Sequence, residues 1–146
     1  MRIHDMARVV GGLLVLGMVL MFSDATSAED PQPAAHRVIA CYFHRTNRCP
    51  TCRKISTYVE ESLKTGFADE MKSGDVALRM IDFQDPKNER YTSGYKISGP
   101  TLVILDVQGE KVVAWKPAPK VWSLVGKKDA FLKYVQKEVR GYLEGK

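Results

Sequence analysis

Cysteine is scarce: Cys41, Cys49 and Cys52 are the only three among the 146 residues. An odd number cannot all pair within one chain, and two of them stand only three positions apart. A bridge across so short a loop removes little chain entropy, so a disulfide-stapled scaffold is a poor reading. A membrane-crossing helix needs roughly 20 consecutive apolar residues. The apolar run at residues 9–22, VVGGLLVLGMVLMF, has 14 and is short for one. No cysteine follows that run closely, so nothing points to a lipid-modified N-terminus. A long basic block is missing too. The net charge of +5 is interleaved with apolar residues, which argues for a solvated basic surface and against nucleic-acid binding. Internal repeats and low-complexity stretches are absent.

What the N-terminus does have is a basic start with Arg2 and Arg8, the apolar run, and a small polar exit from Ser23 to Ala28. That order is the pattern of a secretory signal, with cleavage expected after Ala28 and after Ala25 as the alternative. The expected organisation is a signal peptide at 1–28, a flexible lead-in at 29–36 carrying Pro31 and Pro33, and one domain at 37–146. The mature chain would be periplasmic or secreted. It would touch a membrane only if the signal segment stayed uncleaved.

Within the domain, residues 37–44, RVIACYFH, form an apolar and β-branched run that suits a buried strand. Pro50 fits the first turn of a helix, in which Ile55, Val59 and Leu63 recur at helical spacing as far as Gly66, with Cys52 and Tyr58 beside them. Residues 76–83 alternate as a second strand. Asp85 and Pro86 open a short helix expected over 87–95. Residues 101–105 make a third strand, 106–109 a turn, and 111–115 its returning arm. A loop marked by Pro117 and Pro119 leads to a last helix over 127–143, burying Phe131, Val135 and Val139 with Leu132 and Tyr142 beside them. The order βαβαββα implies a parallel first pair and a mixed four-stranded sheet flanked by helices.

The chemistry concentrates at Cys49-Pro50-Thr51-Cys52. Cys49 falls after a strand and where a helix begins, where backbone N–H groups and the helix dipole favour a negative charge. A thiolate is the nucleophile in disulfide exchange, and such a position lowers a thiol pKa from about 8.5. Arg48, Pro50 and Thr51 are expected to tune it, with Arg45, Arg53 and Lys54 pushing the same way. Cys49 is then the attacking sulfur and Cys52, one turn on, the resolving one.

The Cys49–Cys52 motif, the run Tyr95-Lys96-Ile97-Ser98-Gly99-Pro100-Thr101-Leu102-Val103 and the stretch Asp106-Val107-Gln108-Gly109-Glu110-Lys111-Val112 together resemble the thioredoxin superfamily. The stretch Tyr42 to Cys52 also looks like a branch of small exported bacterial thioredoxin-like proteins, often labelled nitrophenyl-compound nitroreductase subunits. No flavin or nicotinamide motif accompanies it, so only the fold is taken from that branch. The resemblance implies a thioredoxin fold and a redox-active Cys49–Cys52 disulfide with no further cofactor. It implies protein thiol and disulfide substrates, together with a redox partner. It makes Pro100 the family's cis-proline, presenting substrate backbone together with Gly99. Arg48 stands where members carry tryptophan, and Phe43 where thioredoxin has a buried acid used in proton transfer. The loop into Pro100 is one residue shorter than usual.

Two other readings use the same residues. A metal-binding module would hold copper or zinc with His44, Cys49 and Cys52. A non-catalytic interaction subunit would keep only the fold. For the remaining residues the plain reading is preferred. His44 is a strand-end histidine with a hydrogen-bond partner, and Cys41 is a buried inert thiol. Trp115 packs on the hairpin, and Trp122 anchors a loop.

Overall fold

The computed structural model describes residues 35–145; the expected signal segment and most of the lead-in lie outside them. Strand β1 (His36–His44) begins one residue earlier than expected, so the last position of the lead-in belongs to the sheet. Helix α1 spans Pro50–Gly66 and is followed by the short α2 (Ala68–Ser73). Strand β2 (Val76–Asp82) leads through a 3-10 turn (Pro86–Asn88) into α3 (Glu89–Gly94). Strands β3 (Thr101–Gln108) and β4 (Lys111–Pro117) form the hairpin, and α4 (Val121–Leu124) precedes α5 (Lys128–Leu143).

The sheet order is β2-β1-β3-β4, with β2 parallel to β1 and the other neighbours antiparallel. Central β1 is apolar at nearly every position because both of its faces are covered. Its even positions, Val38, Ala40 and Tyr42, join Leu102 and Ile104 against Ile55, Val59 and Leu63 of α1 and Phe131, Val135 and Val139 of α5. Its odd positions, Ile39, Cys41 and Phe43, join Val103, Leu105 and Val107 on the opposite face, where Tyr91, Tyr95 and Ile97 lie over them. The two helical stripes read from sequence are thus the ones that fill the larger core.

Four expectations need correcting. Helices α2 and α4 were not expected. Both are short, α2 buries no residue, and α4 buries only Val121, so neither leaves a periodic signal. Phe67, fully buried between α1 and α2, ends the first helix and opens the second. The hairpin turn falls at Gly109 and Glu110 and not over 106–109, because β3 stays paired with β1 as far as Gln108, while its pairing with β4 is irregular between Asp106 and Val107. Gly109 takes a left-handed φ of 59° there, and its N–H donates to the Ala35 carbonyl at 2.8 Å. The helix expected over 87–95 is split: the Asp85 side chain accepts from the Lys87 N–H at 3.0 Å and caps the 3-10 turn, after which α3 holds a single six-residue stretch.

Phe131 is fully buried and meets the Tyr58 ring edge-on at 5.5 Å between centroids. Phe131→Ala should lower unfolding free energy by about 3–5 kcal/mol. Val113→Thr, on the exposed β4 edge, should stay within about 0.5 kcal/mol. Urea unfolding of the two variants checks both.

Candidate functional site

The site is built by the abrupt passage from buried strand to helix. His44 ends β1, a polar loop of residues 45–48 follows, and Cys49 takes the N-cap position of α1 with extended backbone (φ −69°, ψ 161°). Pro50 occupies the first turn, where its missing N–H leaves no hydrogen bond unmade. The Cys49 sulfur does what a serine or aspartate does at other caps: it accepts the Cys52 backbone N–H, at 3.2 Å. The Cys49 carbonyl accepts from the Arg53 N–H at 3.0 Å, the first regular bond of the helix.

The two sulfurs are unlike in exposure. Cys49 is exposed, whereas Cys52 is 3% exposed and points with Ile55 and Val59 toward the sheet; they are not bonded to each other. The Cys49 thiol is held below the ordinary value, first by a hydrogen bond from the Cys52 side chain, then by the Cys52 and Thr51 backbone N–H groups. Burial pushes the Cys52 thiol up, and its hydrogen bond to Cys49 adds to this. The pair therefore divides into an accessible sulfur whose ionisation is eased and a shielded thiol behind it. Hydrogen bonds do the lowering expected of neighbouring charge. Thr51 contributes through its backbone, and the Arg48 charge acts on Tyr42, whose phenol it lowers.

The strand register fixes where Pro100 lies. Phe43 pairs with Thr101, so Pro100 enters β3 at the end of the sheet where β1 hands over to the Cys49 loop. The Trp122 indole N–H donates to the Pro100 carbonyl at 3.0 Å, the loop-anchoring role expected of it. Gly99 and Pro100 line a cleft of about 360 Å³ with Tyr95 and Trp115, whose rings meet edge-on at 5.4 Å.

The set His44, Cys49 and Cys52 is not assembled for a metal. Among the described residues no group of three histidine, cysteine or acidic side chains could hold an ion. His44 is buried, and its Nδ1 lies 3.0 Å from the Arg45 carbonyl, as a strand-end histidine with a partner should. Cys41 is buried in the middle of β1, and burial pushes its thiol up to about 12, against a smaller opposing effect of Arg79.

Tyr42 is the residue that sequence reasoning missed. It is fully buried, its hydroxyl lacks a well-formed hydrogen bond among the described residues, and the Cys52 side chain is the polar group beside it. Burial raises its phenol, and the Cys52 and Cys49 sulfurs raise it further. Strand parity holds the clue: Tyr42 shares the even face of β1 with Val38 and Ala40, the face against which α1 packs.

No family model matches the chain, and no curated protein matches it. Solved thioredoxin structures do. The thioredoxin of Thermus thermophilus is 23% identical over 75% of this chain and 80% of that one, with a TM-score of 0.43. Thioredoxin O2 from Arabidopsis thaliana in its oxidized state is 17% identical over 70% and 81%, TM-score 0.41. The Fasciola hepatica thioredoxin is 22% identical over 67% and 81%, TM-score 0.38. The fold assignment rests on the architecture itself. A mixed sheet ordered β2-β1-β3-β4, with α1 and α5 on one face, α3 on the other and a cysteine pair opening α1, is the thioredoxin fold.

Two outcomes check this geometry. Cys41 should resist iodoacetamide in the native protein at pH 8.5 and react only on unfolding, because its thiol stays neutral far above that pH; labelling followed by mass spectrometry reads this. Tyr42→Phe deletes an unpaired buried hydroxyl, so stability in urea should hold or rise by up to about 1 kcal/mol. A loss larger than that would mean the hydroxyl is well bonded.

Proposed function

We propose that this chain is an exported thiol–disulfide oxidoreductase that exchanges disulfides with protein partners through Cys49 and Cys52. The observation that supports it most is the Cys49 sulfur, exposed at the helix cap and held toward the thiolate, with the Cys52 thiol buried one turn behind. The Cys49 thiolate attacks one sulfur of a partner disulfide and forms a mixed disulfide, and the partner's other sulfur leaves as a thiolate. Cys52 then gives up its proton to solvent and attacks the Cys49 sulfur. The Cys49–Cys52 bond forms, the second partner sulfur is released, and two electrons have passed to the partner. The same steps in reverse oxidise a dithiol. Gly99 and Pro100, at the end of the sheet where β1 leads into the Cys49 loop, would offer their backbone as an edge on which an extended substrate segment can lie.

Hydrogen bonds that hold Cys49 as a thiolate stabilise the reduced pair, which inclines the protein toward oxidation or isomerisation of partners. Its reduction potential should be less negative than the roughly −270 mV of thioredoxin, measurable by equilibration with glutathione. Export would follow from the signal at 1–28, and the N-terminal sequence of the secreted protein would begin at Glu29.

Replacement of the resolving sulfur gives the sharpest test. Cys52→Ser should accumulate mixed disulfides with partner proteins, visible as slow bands on non-reducing gels, while Cys49→Ser should form none and lose exchange activity. Full biological function in the Cys49→Ser, Cys52→Ser double variant would instead make the chain a non-catalytic subunit.

A further inference from the structure

The exchange steps at Cys49 and Cys52 leave Tyr42 without a role, yet its hydroxyl stands in the core beside the second sulfur. The side chain is fully buried, and its oxygen lacks a well-formed hydrogen bond among the described residues. The other buried side-chain hydroxyls are satisfied. Ser56 donates to the Arg53 carbonyl at 2.8 Å and Ser62 to the Tyr58 carbonyl at 2.6 Å, each one turn back in α1. The polar group beside the Tyr42 hydroxyl is the Cys52 side chain, itself only 3% exposed.

A buried hydroxyl without a partner costs free energy that a phenylalanine ring in the same place does not. Such a hydroxyl has a use where its partner is formed during the reaction. In the reduced pair, the Cys52 side chain donates to the Cys49 sulfur. Once Cys49 is bonded to a substrate sulfur it no longer ionises, and Cys52 loses its charged acceptor. Cys52 must then ionise where burial opposes its charge. A phenol O–H is a donor, and its hydrogen bond to a charged acceptor is roughly twice as strong as to a neutral one. Burial holds the Tyr42 proton in place, and the Cys52 and Cys49 sulfurs hold it further, so the hydroxyl stays a donor at neutral pH. The Arg48 charge acts in the opposite sense and polarises that O–H outward. His44, two positions on along β1, has its Nδ1 at the Arg45 carbonyl. Leu102 and Ile104 of β3 and Phe131 and Val135 of α5, which complete this core, are uncharged.

We propose that the Tyr42 hydroxyl donates a hydrogen bond to the Cys52 sulfur as it becomes a thiolate, and so speeds resolution of the mixed disulfide. Tyr42 keeps its own proton throughout. The Cys52 proton goes to solvent, and the Cys52 thiolate attacks the Cys49 sulfur. The bond between Cys49 and the substrate sulfur breaks, and that sulfur leaves as a thiolate. This role rests on the redox reading of the pair.

The test mixes the reduced full chain with dithiobis(nitrobenzoate), an aromatic disulfide whose thiolate is coloured on release. Attack by Cys49 releases one thiolate in a phase whose rate rises with reagent concentration. Displacement by Cys52 releases the other in a phase that does not depend on it. In Tyr42→Phe the second phase should slow roughly tenfold near neutral pH, with the first phase changed by less than about twofold. The pH midpoint of the second phase should rise as well, which a purely structural role for the ring would not produce. A second phase with the parent's rate and midpoint, or an equal slowing of both phases, would overturn the proposal and leave the redox reading standing. A parent chain that shows no second phase would overturn both.

Discussion

The Cys52 N–H reaching the Cys49 sulfur at 3.2 Å is the contact on which the account of this molecule depends. A helix beginning anywhere else would leave either the sulfur without its donors or the first turn without its cap. Because Cys49 is itself the cap, one geometry both starts α1 and favours the charged form of its sulfur. Pro50 reinforces this by fixing the first turn. The packing of Ile55, Val59 and Leu63 against β1 then holds the helix start in place beneath the cysteines.

The two faces of the sheet divide the labour. The even face carries the large core and brings Cys52 and Tyr42 together, so the Cys52 thiol lies in a poorly solvated setting that raises its pKa. The odd face buries Cys41, which is chemically quiet there, beneath a thinner cover of aromatic side chains and arginine stems. Three cysteines in one small domain thus have three reactivities, set by exposure and hydrogen bonding and not by sequence neighbours alone. The basic residues near the pair made an obvious explanation for a lowered thiol pKa. The hydrogen bond from the Cys52 side chain carries it first, followed by the Cys52 and Thr51 backbone N–H groups.

Much of this was legible in the chain. The strand at 37–44, the helix opening at Pro50, the cap at Asp85 and the stripes of α1 and α5 all rest on strong local signals, and each was found within a residue or two. What escaped was short or non-local. Helices α2 and α4 run six and four residues and bury almost nothing, so no periodicity marks them. The last residues of β3 are held by pairing with β1 as well as β4, which only the partner strands reveal. The cysteine pair at the head of α1 was readable because its spacing and its place before a helix are unusual. Tyr42 was not, because a tyrosine in an apolar strand reads as core until the helix opposite it is known.

Titration of the Cys49 thiol tests the central claim most directly. The rate of alkylation at Cys49 in the reduced protein, followed against pH by mass spectrometry, rises with the thiolate fraction. The account predicts a midpoint clearly below the roughly 8.5 of a free cysteine, and reactivity at Cys49 far ahead of Cys52. A midpoint at or above about 8.5, or a Cys52 that reacts first, would contradict it.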